Sequence, residues 1–340
     1  MTALSTRFTD AYGISHPIAG AGMAFAGMTP GLAVAVSQAG GLGSLGAGLM
    51  PAPALAATIS AIRAGTSHPF NVNFITPLTE QAQIDVACAA AVPVASFHWD
   101  HPKRAWIDAL HQAGTRVWEQ VGSVDAARRA VDDGIDLVVA QSSEAGGHNY
   151  GRLPMMAQLP LIADAVAPAL VLAAGGIADG RGLAAALMLG ADGAWIGTRL
   201  VATAESAAHE EYKARLVAGS PENTVRTHIF GRENPLFNPM RVLRNRVVNE
   251  WTDRADDVPA DTTALPVIGH FDLLGARMDL HKFSNFVPMH GATTGDLEEM
   301  PLLAGQGVGL IDAVEPAGEV IARMVAQAAE VIGRAARQAG

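Results

Sequence analysis

Short apolar stretches that end in Gly, Asn, Asp or Ser recur along this chain, separated by Ala-rich segments of helical pattern. That alternation constrains the fold more than any other feature. The stretches are HPIAGAGM (16–23), GLGSLGAG (41–48), FNVNFI (70–75), VPVASFHWD (92–100), RVWEQV (116–121), LVVAQSS (137–143), ALVLAAGGI (169–177) and GAWIGTRLV (193–201). Helix starts are marked at Thr29-Pro30, Pro51, Pro102, Ser123 and near Arg181. Pro at the first helical position, or Ser or Thr before it, is a normal start signal. Strand–helix alternation implies parallel strands joined by right-handed crossovers. Eight such units predict an α/β fold, a (β/α)8 TIM barrel. The rival, a doubly wound open sheet, concentrates its glycines in one early turn. Here glycine-rich turns end several strands, which favours the barrel.

After residue 218 the alternation stops. We read 1–218 as the barrel, 219–300 as an appended irregular and partly helical region, and 301–340 as a tail that packs back on the barrel. The apolar periodicity from Leu310 to Ala339 predicts a closing helix.

The composition narrows the function. Of 340 residues 49% are hydrophobic and 16% charged, and the net charge is −10. An acidic chain whose most basic stretch is RVLRNR (241–246) is a poor binder of nucleic acid or anionic membrane. No leader pattern and no membrane-length apolar run occurs. The single cysteine, Cys88, lies in VACAAAV and reads as a buried, inert thiol. These features together predict a cytoplasmic enzyme acting on a small molecule, with a homodimer left open.

In a (β/α)8 barrel the reactive groups sit at the C-terminal ends of the strands, and the last two loops often hold a phosphate. Gly175 and Gly176 end the seventh stretch, and Gly197 and Thr198 the eighth. Their backbone N–H groups, with the start of the following helix, suit an anion. Asn73 and Gln141 end the third and sixth, where a side-chain amide can both donate to and accept from a heterocycle. His148 follows Gly146-Gly147 in the loop after the sixth, a suitable place for a general acid or base. His98, Asp100 and His101 lack a third cluster at metal-ligand spacing, and no metal site is expected. No GxSxG elbow occurs.

TRFTDAYGISHPI, AVSQAGGLGSLG, NVNF, SFHWDHP, SSEAGGH, AAGGIADGRG, GADGAWIGTR and AGQGVGLI span nearly the whole chain. Together they resemble the nitronate monooxygenase family, long called 2-nitropropane dioxygenase, with its FMN-dependent enoyl-acyl-carrier-protein reductase and NADH:quinone reductase relatives. The resemblance implies a barrel that holds FMN without a covalent bond. It implies that Gly175, Gly176, Gly197 and Thr198 hold the FMN phosphate and that Gly22, Met23, Asn73 and Gln141 line the isoalloxazine. Gly146 and Gly147 would then turn His148, the active-site histidine, over the flavin. The GRENPLFNPMRVLRN stretch resembles the family's post-barrel segment. Gly22 stands where relatives often carry Pro, Ser142 where they usually carry Gly, and Glu119-Gln120 where some carry Lys. The expected reaction is oxidation of alkyl nitronates or nitroalkanes with O2 to a carbonyl compound and nitrite. The alternative is NAD(P)H-dependent reduction of an enoyl thioester or quinone. Met23, Phe25 and Phe97 or Trp99 are expected to line an apolar pocket, and Asn149, Tyr150 and Arg152 to stand where a substrate arrives.

Overall fold

The computed structural model describes residues 4–234, 238–273 and 275–339. Pro235, Leu236 and Phe237 of the GRENPLF stretch lie outside the described residues.

Eight parallel strands form one sheet: Ile18–Gly20, Gly43–Gly46, Phe70–Ile75, Val94–His98, Arg116–Val121, Leu137–Gln141, Leu170–Ala174 and Gly193–Ile196. The first pairs with the eighth. Leu42 closes the ring by bridging to Ala19, with Leu42 N–H on Ile18 O and Gly20 N–H on Leu42 O, each at 2.9 Å. All eight expected strands are present. Six are shorter than their apolar stretch, because those stretches also include flanking residues, mostly the loop beyond the strand.

Strand alternation sorts the side chains. Phe70, Val72 and Phe74 face outward into the core shared with the helices, whereas Asn71 and Asn73 face the barrel axis. The axis carries a polar ladder, with Asn71 Nδ2 on Ser44 Oγ (3.0 Å) and Ser96 Oγ (2.8 Å), and Ser96 Oγ on Asn73 Oδ1 (2.8 Å). The opposite end of the axis is plugged by an apolar group. There Phe8 and Tyr12 of the helix Arg7–Tyr12 meet Trp118, whose Nε1 donates to Tyr12 Oη at 2.6 Å. One end of the barrel is therefore dry and closed, and the other is polar.

The helices Pro30–Gln38, Ala52–Gly65, Arg104–Gln112, Val124–Asp132 and Gly180–Met188 follow the start signals. Ser123 caps its helix by accepting from Ala126 N–H. Gln81–Ala89 carries Cys88, which is half-buried rather than buried, with its thiol pushed up by burial. Met155–Val166 escaped the sequence signals because Pro160 sits inside it. The closing helix runs Ala317–Ala339, not from Leu310. Pro316 delays it, since the residue before a proline disfavours helix.

The appended region holds more strand than its sequence suggests. Thr224–Thr227 pairs with Met240–Leu243, which in turn pairs with the two residues Gly147–His148. A hairpin, Val267–Leu273 with Ala276–His281, carries a third strand at Thr293–Gly295. The hairpin's exposed face is polar, with Arg277–Asp272 and His270–Asp279 pairs, so hydrophobicity alone did not mark it.

Candidate functional site

A cavity of about 350 Å³ opens at the polar end of the barrel. Gly22, Met23, Asn73, Gln141, Gly146, Gly147, His148, Gly175, Gly176, Gly197 and Thr198 all line it. Residues up to 176 positions apart in sequence therefore meet at one place. The size falls at the lower end of the range for small-molecule sites.

At one part of the wall, glycines from three segments converge. Gly175 and Gly176 adopt φ of 110° and 73°, a conformation that side chains rarely take. A Cβ on Gly175 would lie 2.4 Å from Ser142 Oγ. Gly305 and Gly307, from AGQGVGL, complete this wall, and Gly305 N–H donates to Thr198 Oγ1 at 2.9 Å. Their only sequence signal was the family-like motif.

Gly22 has a steric reason. A Cβ there would fall 2.1 Å from Asn73 Cβ and Cγ. The amide of Asn73 takes the space that a side chain would need, with its Nδ2 3.5 Å from Gly22 O.

The loop after the sixth strand is fixed from inside. Glu144 Oε2 accepts from Ser142 Oγ (2.9 Å) and from Met155 N–H (2.7 Å) at the start of a helix, a structural task. Gln141 Nε2 donates to His148 O (2.9 Å) and its Oε1 accepts from Tyr150 N–H (3.0 Å). Both ends of that amide hold the loop, which leaves Gln141 a clasp in the cavity wall. Asn149 is 1% exposed and donates to Ser143 O and Ala145 O. It braces the loop, and neither it, Tyr150 nor Arg152 lines the cavity. That corrects the expectation that these three meet a substrate.

The His148 ring stands edge-on to Trp99, with centroids 3.8 Å apart and planes at 82°. Trp99 and Asp100 hold φ of 64° and 85°. Such backbone costs of order 1–3 kcal/mol per residue and clusters at functional sites. His98 also lines the cavity, which sequence reading missed. Gln120 Nε2 donates to His98 Nδ1 (3.1 Å), and His98 bonds the His148 backbone. Burial pushes the His98 pKa down to about 4, against the opposing bond to His148. His98 is thus neutral, and these partners place its proton on Nε2. Glu119 points away from the cavity to His101 Nδ1 (2.7 Å), and His101 Nε2 also meets Asp133 (3.1 Å). Burial raises the Glu119 carboxyl, and His101 opposes that. Gln120, not Glu119, is the strand-five residue in the cavity.

The remaining wall is apolar. Phe25, Phe271 and Phe286 form a cluster with centroids 5.3–5.7 Å apart. Phe271 comes from the hairpin, so the appended region roofs the barrel mouth. Phe97 is stacked between Phe74 and Trp106 and stays out of the cavity, whereas Trp99 lines it. No Lys or Arg lines the cavity among the described residues, and Glu233 stands in its wall.

Comparison with known proteins matches this architecture. The family model described as nitronate monooxygenase matches residues 5–87 and 76–327. The "Probable nitronate monooxygenase" of Staphylococcus saprophyticus is 29% identical over 97% of this chain and 99% of its own. A Mycobacterium tuberculosis protein, (3aS,4S,5R,7aS)-5-hydroxy-7a-methyl-1-oxo-octahydro-1H-indene-4-carboxyl-CoA dehydrogenase, is 37% identical over 73% of this chain and 68% of its own. The solved structure of FabK from Thermotoga maritima is 34% identical with a TM-score of 0.79, covering 98% of this chain and 99% of that one. No helix among the described residues is long and apolar enough to cross a membrane. The chain is an oxidoreductase and belongs to the nitronate monooxygenase family.

Proposed function

We propose that the cavity holds FMN and that the chain oxidises nitroalkanes and alkyl nitronates with O2 to a carbonyl compound and nitrite. The observation that carries this reading is the meeting of His148 with the glycine turns of the seventh and eighth strands in one cavity. The residues suit the group. Gly175, Gly176, Gly197 and Thr198 would hold its phosphate, and Gly22, Met23 and Asn73 would flank its ring. Bound FMN supplies electron acceptance from the substrate and delivery to O2.

The protein's own part is proton handling and orientation. His148 takes the proton from the carbon next to the nitro group. Its loop is fixed by Gln141 and Asn149, and Trp99 limits the swing of its ring. His98, held neutral, donates to the His148 carbonyl and does not compete for the proton. With no lysine or arginine in the wall among the described residues, a neutral nitroalkane enters at less electrostatic cost than an anionic nitronate. The Phe25–Phe271–Phe286 cluster receives the apolar part of the substrate.

The test is His148→Asn. FMN content should stay, and nitroalkane turnover should fall far more than turnover of the preformed nitronate. Equal, unchanged rates on both substrates would exclude His148 as the base.

The aromatic roof over the cavity also suits a second reading, reduction of an enoyl thioester or quinone by NAD(P)H, with His148 as proton donor. NADH added under argon distinguishes the two. Rapid bleaching of the flavin supports the reductase, and bleaching by nitronate alone supports the oxidase.

A further inference from the structure

The loop that carries His148 rests on two arginines, Arg241 buried and Arg226 half-buried, that no carboxylate pairs with among the described residues. Arg226 and Arg241 are directly opposed in the antiparallel pair Thr224–Thr227 and Met240–Leu243. Opposed residues share a face, so the two guanidinium groups lie side by side. Arg241 is also opposite Gly147 on the loop, while Met240 is opposite His148. The arginines therefore occupy the reverse of the face that carries the histidine ring.

Arg241 is 9% exposed and donates to Ser143 O at 2.9 Å and to Thr224 Oγ1 at 3.3 Å. Arg226 Nη2 donates to Asn149 O at 3.2 Å, while its Nε is buried with no partner. Arg152, exposed, adds a third positive charge that acts on Arg226. None of the three forms an ion pair among the described residues. Glu144 acts on Arg241 from a distance, but it is committed to Ser142 and Met155. Like charges directly opposed are destabilising, and burying the unpaired Arg241 guanidinium adds a further cost.

We propose that Arg152, Arg226 and Arg241 form a binding site for a phosphate group on the outer side of the histidine loop. The planar guanidinium matches phosphate geometry with paired donors. The phosphate group comes either from free inorganic phosphate or from a nucleotide phosphate monoester. This site does not depend on the flavin reading, and it differs from the glycine wall inside the cavity.

The experiment uses protein saturated with FMN, so that the cavity is filled. Thermal melts are run in ~10 mM phosphate and in chloride at matched ionic strength. A site with a Kd of ~1 mM gives an ~11-fold mass-action stabilisation, about 2 °C for a chain of this length. Arg226→Gln should lose the phosphate response, and Arg128→Gln, a surface control, should keep it. If Arg226→Gln does not fold, Arg152→Gln on the exposed rim should cut the response several-fold. Equal melting of the unmutated protein in phosphate and chloride overturns the proposal. So does a phosphate response that survives in both Arg226→Gln and Arg152→Gln. NADPH and NADH separate the sources: protection by NADPH alone assigns a nucleotide phosphate, and protection by inorganic phosphate alone assigns the free anion.

Discussion

Gly22→Ala tests the packing at the centre of the site. The new Cβ would lie 2.1 Å from Asn73 Cβ and Cγ and 2.7 Å from its Nδ2. Asn73 cannot retreat freely, because its Oδ1 accepts from Ser96 Oγ at 2.8 Å in the buried ladder. Overpacking of this kind costs ~1–3 kcal/mol. Breaking the Ser96 bond leaves a buried acceptor unsatisfied, at ~1–3 kcal/mol more. The sum is about 2–6 kcal/mol. The unfolding entropy of a chain this long is about 0.7 kcal/mol/K, so Tm should fall by about 3–8 °C. Thermal melting of the FMN-saturated protein measures this, and FMN fluorescence should show weaker cofactor retention. The cause is separated by a cycle with Asn73→Gly, which removes the atoms that collide. The double variant should cost ~1–3 kcal/mol less than the sum of the single ones. A Gly22→Ala protein that melts within ~1 °C of its parent, or a cycle that is additive within ~0.5 kcal/mol, would refute the collision.

His148→Asn should lower nitroalkane turnover by about 10²–10⁴, the range for loss of a general base, with nitronate turnover much less affected; steady-state kinetics on both substrates checks it. Gly175→Ala meets Ser142 Oγ at 2.4 Å in a left-handed backbone, so FMN content after gel filtration should drop sharply. His98 has its pKa lowered to about 4, so between pH 6.5 and 4 the unfolded chain binds a proton that the folded one does not. That contribution is intact above about pH 6.5 and is lost as pH falls toward 4, by at most about 3 kcal/mol. Solvent in the cavity reduces that figure. Melts from pH 4 to 7 should show a shallower acid slope for His98→Asn than for its parent, and identical slopes would count against the assignment. Phe271→Ala should cost ~3–5 kcal/mol and raise KM for substrates with long apolar chains more than for nitroethane, read from a chain-length series.

The sequence by itself determined the barrel, since the strand–helix repeat, the glycine turns and the start signals are local patterns. The same local reading marked the glycines and His148, because a strand end in a barrel has a fixed address at the mouth. Other features needed the tertiary structure. His98 looked like an ordinary strand end until Gln120 and the His148 carbonyl were found on its two nitrogens. Gln141 looked like a cofactor ligand, and its own loop uses both ends of its amide. Asn149 looked substrate-facing and is buried under its loop. Phe271 stands on a hairpin whose polar outer face hid it. Gly22 against Asn73, and Arg226 beside Arg241, are contacts across 51 and 15 residues that no local pattern records. Periodicity and turn chemistry act over a few residues, whereas the partner of a buried amide, imidazole or guanidinium is set by whichever distant segment the closed barrel brings against it.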